Sequence, residues 1–463
     1  MSKVVSRIGI TPVGSVRYRI NRLRLHLLAY TIAQSAKLHG SEAEFIVRCD
    51  DTNKETTNKE YLDAYLQTLS EIGVNFDTTP YDKDRNGYPM FQSQRSKLYK
   101  AKVDELLDKG LAYRESDRSV FFDVSAYIES HQSLLHEDKL LVKDAAMGSF
   151  LVDVKSADRE TAELMYRPFP IQRLDGSYLF NLCSPLDDAA MSVTHVVRDR
   201  NKLSVLGMQE MVRTALHLPE IIYLHAPLIM NDLGTRYIQD DLYGDGTYES
   251  FLEAGFTSKA IISYILASIE GEPEAYYRNL NEFAISFDIT KIHQAHTRFS
   301  NELLKIHQFN SIKEMSNDSY KEAFEKRLAI VKPDLFYKYQ NDQNLQKFLL
   351  LRKENLVDND NFIALNFKDD YNFIDKDLMQ IAKKVETLIA LNNLGSSKES
   401  LIGSFETCNA SFGISKKDFY MSLRVIYTGK THGVGLIDLL SYLEKSGELE
   451  SRLAIFKQFI GKE

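Results

Sequence analysis

The chain has 463 residues, with 57 Lys+Arg against 65 Asp+Glu, a formal net charge of −8, 44% hydrophobic and 26% charged residues. That much apolar surface excludes wholesale disorder. The acidic balance excludes a uniformly basic protein, but not one that meets nucleic acid through local patches.

In chain order, Val4 to Ile10 is a short apolar run that predicts a strand, ending at the turn chemistry of Thr11-Pro12-Val13-Gly14-Ser15. Leu23, Leu25, Leu27, Leu28 and Ile32 follow with helical spacing and arginines on the first turns. Ala43 to Val47 predicts a second strand that closes on Arg48-Cys49-Asp50-Asp51-Thr52, and Tyr61 to Ile72 returns to a helical period. Strand, helix, strand, helix is the pattern of a parallel α/β sheet, in which ligands bind at the carboxyl ends of the strands. Thr11-Pro12-Val13-Gly14 and Arg48-Cys49-Asp50-Asp51 fall at those ends.

Residues 95–115 read as a helix closing on Lys109-Gly110, and 120–180 as broken, mixed structure with short strands such as Val120 to Val124. Val193 to Val197 predicts a strand, Leu203 to Leu216 a helix, and Ile221 to His225 a further strand before Pro227. Helices dominate from about Ser250, and 316–463 is almost entirely helical by periodicity, with breaks near 394–397 and 429–435. At roughly 100–200 residues per domain, the length predicts two to four domains. Three scattered cysteines without a C-x-x-C pair (Cys49, Cys183, Cys408) point away from disulfides and cysteine-held zinc, toward a reducing compartment. No apolar stretch approaches the 18 or so residues of a membrane span, and the first residues carry no signal-like apolar region. The expectation is a soluble cytoplasmic protein.

Seven segments, in order, resemble the class I glutamyl-tRNA synthetases. Arg7-Ile-Gly9-Ile-Thr11-Pro12-Val-Gly14 looks like that family's Arg-Phe-Ala-Pro-Ser-Pro-Thr-Gly, and Phe45-Ile-Val-Arg48-Cys-Asp50-Asp51-Thr52-Asn53 like its Phe-Ile-Leu-Arg-Ile-Glu-Asp-Thr-Asp. Gln92-Ser93-Gln94-Arg95 and Gly110-Leu-Ala-Tyr113 are similar to Gln-Ser-Glu-Arg and Gly-Lys-Ala-Tyr. Arg173-Leu-Asp175-Gly176 with Asp187-Asp188-Ala-Ala-Met191-Ser-Val-Thr194-His195-Val-Val-Arg198, then Phe287-Asp288-Ile-Thr290-Lys291 and Tyr427-Thr428-Gly429-Lys430-Thr-His432-Gly433, complete the series. The resemblance implies an α/β Rossmann-type class I catalytic core in two halves, 1–94 and 181–245, interrupted by an acceptor-stem-binding insertion over 95–180. A stem-contact region over 246–315 and an all-helical anticodon-binding region over 316–463 would follow. Its implied partners are tRNA, specifically tRNA(Glu), and glutamate or a glutamyl group, met by a monomer.

The resemblance also implies site residues. Arg7 and Arg198 match arginines that hold glutamate's carboxylates, Asp50 the acidic residue for the α-amino group, Thr11 a serine and Phe180 a tyrosine. Both adenylation motifs depart from the family. Its His-Ile-Gly-His positions are Arg17, Tyr18, Arg19 and Ile20, where Arg19 replaces the glycine on which adenine stacks and an imidazole that steadies the α-phosphate is missing. The Lys-Met-Ser-Lys-type loop is replaced by Arg236, Tyr237, Ile238, Gln239 and Asp240, with Asp241 behind, which puts acid where triphosphate needs lysine.

The expectation is a synthetase-like protein that binds tRNA and glutamate or glutamyl-tRNA without ordinary ATP-dependent adenylation. No resident cofactor is expected, and ATP and Mg only if the chain is a ligase. Two alternatives stand beside it: a divergent working glutamate–tRNA ligase using Arg17 and Arg236 on phosphate, and a repurposed glutamyl transferase. Arg17, Arg19, Arg22 and Arg24 read either as a rebuilt anion site at a helix N-terminus or as a solvated basic face. Asp187 and Asp188 read as structural rather than acid–base carboxylates, His195 as a packing residue, and His293, His296 and His307 as too loosely spaced for a metal. Basic residues that would meet RNA gather at Arg95 to Lys102, Lys291 to Lys305 and Lys416 to Lys430.

Overall fold

A seven-residue, mostly apolar segment interrupted by Ser6, Arg7 and Gly9 makes β1 (Val4–Ile10), and α1 (Ile20–Leu38) carries the chain back to β2 (Ala43–Cys49), its parallel neighbour. The computed structural model describes residues 3–53, 57–157, 164–231, 234, 246–293, 295–350, 353, 356–357, 369, 371–392, 397–433 and 435–461. They form two units, 1–311 and 312–463.

In the first unit the chain continues through α2 (Lys59–Glu71), α3 (Ser96–Asp108), β3 (Ala112–Arg114), β4 (Val120–Phe122), α4 (Val124–Ser130), β5 (Leu135–His136), β6 (Lys139–Asp144), β7 (Gly148–Asp153), β8 (Ser156–Ala157), β9 (Leu164–Met165) and β10 (Phe169–Gln172). After these come α5 (Phe180–Ala190), β11 (His195–Asp199), α6 (Leu203–Ala215), β12 (Ile222–Ala226), β13 (Ile229–Met230), α7 (Tyr248–Glu253), α8 (Ser258–Glu270), α9 (Leu280–Ser286), β14 (Thr297–Arg298) and, up to Ser311, most of α10 (Asn301–Glu314). The main sheet has seven strands in the order β2-β1-β11-β12-β6-β5, with β7 paired to β6. The pairs β2–β1, β1–β11, β11–β12 and β12–β6 are parallel. Sequence order turns around at β1, so the carboxyl ends of β1 and β11 flank the switch point where open α/β sheets bind ligands.

The register brings the charged residues together. Gly9 pairs with Arg48 and Ile10 with Cys49. Arg7 pairs with Val196, and Arg198 with His225. Ile8, Ile10, Phe45 and Val47 of the sheet and Leu23, Leu27 and Leu28 of α1 are all nearly inaccessible to water, while Val5 belongs to a second buried cluster with Ile46, Tyr99, Leu182 and Val196. Each such side chain contributes about 1.5–3 kcal/mol relative to exposure.

Several elements differ from their sequence expectation. β2 runs on through Arg48 and Cys49, which the sequence reads as loop, because Arg48 finds buried carboxylates that neutralise it inside the sheet. The helix expected within 95–115 does close at Lys109-Gly110, with α3 ending at Asp108 and Gly110 at the left-handed φ of 67°, but the remainder of that range is not helical: Ala112–Arg114 pairs antiparallel with β4. The strand expected at Val193 begins at His195, since the Val193 N–H caps α5 by donating to the Asp188 carbonyl. α5 itself lies hidden in the sequence because Pro185 sits inside it.

The second unit contains α11 (Asn317–Val331), α12 (Pro333–Asn341), α13 (Gln343–Leu350), α14 (Lys376–Asn392), α15 (Lys398–Phe412), α16 (Lys416–Thr428), α17 (Leu436–Lys445) and α18 (Leu449–Ile460). Its core includes Tyr320, Phe324, Leu328, Leu423, Leu439 and Phe456. Among the described residues no helix is long and apolar enough to cross a membrane. The three cysteines are free and buried.

Candidate functional site

A cavity of about 540 Å³ opens at the carboxyl ends of β1, β2 and β11. Arg7, Thr11, Asp50, Phe180 and Arg198 all line it, so the structure brings the expected amino-acid site residues to one place. Gly9, Arg19, Asn21, Arg22, Leu25, His26, Asp199 and Lys202 complete much of the wall.

Inside the wall lies a closed network of charge. Arg7 donates from Nε and Nη2 to the two oxygens of Asp188, each at 2.9 Å. Arg48, fully buried, donates to Asp188 at 2.8 Å and to Asp50 at 2.6 Å. Arg95 ion-pairs with Asp187 at 2.6 Å and Asp84 at 2.7 Å, and Tyr99 and Gln92 also donate to Asp187. Burial would raise the Asp188 carboxyl, but Arg7 and Arg48 beside it hold it below the usual carboxylate range. Gly9 is part of this packing: a Cβ there would lie 2.2 Å from Asp50 Oδ2. Asp187 and Asp188 are therefore counter-ions of buried arginines. The same network corrects the first basic patch, since Arg95 is a core residue, while Lys100 and Lys102 ion-pair along their own helix.

The four arginines at the start of α1 have separate fates. Arg17 ion-pairs with Glu253 of α7 at 2.6 Å. Arg24 is 1% exposed and hydrogen-bonds to Ser268 and to the Pro227 carbonyl, with burial lowering its pKa to about 10. Arg19 and Arg22 reach the cavity. Arg19 is exposed at the N-cap, without a side-chain cap, and Arg22 lies over the Tyr65 ring and donates to its hydroxyl. Tyr18 and Ile20 are core residues and not part of the site; the Tyr18 hydroxyl is hydrogen-bonded to His26 Nδ1. His26 is the only imidazole among the described residues lining the cavity, and burial, reinforced by Arg22 and Arg7, lowers its pKa to about 3. It is neutral, so it supplies no positive charge. Arg236, Tyr237, Ile238, Gln239 and Asp240 lie outside the described residues.

The histidines singled out in the sequence have backbone or hydroxyl partners. His195 is half-buried against the Thr194 hydroxyl, His296 accepts from the Leu228 N–H, and His307 bridges Ser263 and the Pro273 carbonyl. His293 bonds the Ala295 carbonyl. No group of three or more His, Cys, Asp or Glu suited to a metal occurs among the described residues.

Residues that sequence reasoning missed stand around Arg198. Its Nε donates to His225 Nε2 at 3.1 Å, its Nη1 to Gln209 at 2.7 Å, and its guanidinium lies 4.4 Å from the centre of the Tyr223 ring. His225 in turn donates from Nδ1 to Asp144 at 2.7 Å. Only the strand register puts Arg198, His225 and Asp144 side by side, so no spacing in the sequence reveals them. Lys202 also lines the cavity, its Nζ 5.9 Å from the centre of the Phe180 ring.

Residues 3–119 match the model of the tRNA synthetases class I (E and Q), catalytic domain. Along nearly the whole chain there is similarity to glutamate–tRNA ligases: 24% identity to that of Methylacidiphilum infernorum over 96% of this chain and 97% of the relative, and 24% to that of Mycoplasma genitalium over 99% of each. The solved glutamate–tRNA ligase of Elizabethkingia meningosepticum, in complex with its amino acid, superposes with a TM-score of 0.67 at 18% identity, over 98% of this chain and 99% of that one. The glutamate–tRNA synthetase of Elizabethkingia anophelis gives the same TM-score at 19% identity. The fold is that of the class I tRNA synthetases.

Proposed function

We propose that this chain, related along nearly its full length to the glutamate–tRNA ligases, binds tRNA(Glu) and receives glutamate, or the glutamyl end of charged tRNA, in the cavity of its first unit, without ordinary ATP-dependent adenylation. One observation carries the second half of the reading. At the cavity edge of α1 the exposed side chain is Arg19, and the one imidazole on the wall among the described residues, His26, is neutral. Adenine would need open backbone where Arg19 stands, and charge developing on an α-phosphate would need a preorganised donor there. Arg17, the other arginine of residues 17–20, is engaged by Glu253.

The first half is supported by the relatives and by the cavity's lining of Arg7, Asp50 and Arg198. Exposed basic residues at Lys291, Arg298, Lys416 and Lys417 suit phosphate contacts spread along a folded RNA. In this reading the protein is a cytoplasmic monomer with no resident cofactor or metal.

The test is glutamate-dependent ATP–pyrophosphate exchange, run with and without tRNA(Glu). Exchange at background level is expected, with R19G raising it by opening the adenine position. Robust exchange by the natural sequence overturns the reading and makes the chain a divergent ligase. Binding of tRNA(Glu) over other tRNAs across a salt series tests the partner, and equal affinity for all of them overturns that choice.

A further inference from the structure

Arg198 has three kinds of partner and one nitrogen left over. Nε goes to His225, Nη1 to Gln209, and the guanidinium carbon lies over the Tyr223 ring, but Nη2 is buried with no hydrogen-bond partner. A guanidinium stays charged and can only donate. His225 Nε2, which receives Arg198 Nε–H, must therefore be the unprotonated ring nitrogen, and Nδ1 must carry the hydrogen that goes to Asp144. That tautomer is set from behind: Asp144 also accepts from the His225 backbone N–H at 2.9 Å and from the N–H groups of Ala146 and Met147. His225 and Asp144 are 0% exposed at their side chains. Burial, and then Arg198 itself, keep the imidazole below its ordinary pKa against the pull of Asp144.

We infer that Asp144 and His225 are positioning residues for Arg198: through the Asp144–His225–Arg198 chain they fix the guanidinium so that its one unspent donor nitrogen is reserved for a carboxylate of the ligand in the cavity. An arginine on a free four-carbon stem loses rotamer freedom when it binds, and holding it beforehand removes that loss. An unsatisfied donor at the wall penalises an empty or uncharged ligand and rewards an anionic one, so the same arrangement sets specificity. The inference rests on the glutamate-binding reading above for the identity of the anion, and on this chain's own geometry for the relay.

Two measurements test it separately. In the first, L-glutamate and L-glutamine are titrated by calorimetry into the natural protein, H225L and H225Q, each checked for an unchanged melting transition. Leucine removes the acceptor, and glutamine restores both an acceptor for Arg198 and a donor for Asp144. H225L is expected to bind L-glutamate about tenfold or more weakly and to lose a similar factor of preference over L-glutamine, with H225Q within about threefold of the natural protein. An H225L protein that folds and keeps both affinity and preference overturns the inference. In the second, nitrogen NMR of the ligand-free natural protein, with the His225 signals identified by their loss in H225Q, is expected to show hydrogen on Nδ1 and none on Nε2. Hydrogen on Nε2 overturns the inference whether or not any ligand binds. If the natural protein binds no L-glutamate, the reading of the previous subsection fails, and the tautomer alone decides the relay. If H225L does not fold, the tautomer and H225Q decide it.

Discussion

The wall of the cavity and its mouth both carry arginines, yet in opposite states. In the wall, Arg7, Arg48 and Arg95 are buried and matched to Asp188, Asp50, Asp187 and Asp84. At the mouth, Arg19 and Lys202 have no carboxylate partner among the described residues, and Arg22 leans on a tyrosine. A buried charge whose partner is removed has nowhere to turn, whereas an exposed one is answered by water. The wall therefore holds the sheet together, and the mouth is where charge remains available to a ligand. Arg7 belongs to both: it lines the cavity while two of its nitrogens are taken by Asp188.

The largest expected effect breaks the wall. Asp188→Ala leaves Arg7 and Arg48 without their shared counter-ion and is expected to destabilise the first unit by about 3–5 kcal/mol in urea unfolding; a change under about 1 kcal/mol would show that the network is not structural. Gly9→Ala comes next, at about 1–3 kcal/mol, because its Cβ meets the Asp50 carboxylate inside a packed sheet. An alanine variant with unchanged stability would mean that Asp50 moves freely.

Acid sharpens the same comparison. Asp188 is held below its ordinary value in the folded state, so its stabilisation is present above the unfolded value of about 4 and is lost as the pH falls through the folded one. Melting temperature is expected to drop below about pH 4, with a shallower drop in Asp188→Asn, whose side chain does not titrate. Identical slopes would place the acid sensitivity elsewhere. The mouth gives the smallest stability effect: Arg19→Ala with Lys202→Ala should change unfolding by no more than about 0.5 kcal/mol. It should weaken tRNA binding and flatten its salt dependence. An unchanged salt slope would remove these two residues from the RNA contact.

Much of the fold was legible because its signals are local. The run Val4–Ile10, the helical period after it and the return at Ala43 specify a parallel α/β start, and the terminal helices declare themselves by periodicity. Elements that violate local rules were not legible. α5 contains a proline, β2 runs on through Arg48 to Cys49 where the sequence reads as loop, and β3 is only three residues long. The expected amino-acid residues come from three strand ends and the start of α5 to one cavity, which the resemblance anticipated residue by residue. Splitting the α1 arginines among an ion pair, the core and the cavity depends on which face of the helix each occupies and on what α7 and α8 bring against it.

By itself, then, the sequence determined the α/β class, the order of elements and the ligand-bearing strand ends. These follow from period, turn chemistry and residue type along the chain. Tertiary structure alone decided which charges are spent. Asp188 between Arg7 and Arg48, and Asp144 behind His225 and Arg198, are pairings made across strands distant in sequence. Whether an arginine supports the sheet or faces a ligand depends on the carboxylate that folding places beside it, and on how much water remains to answer the charge.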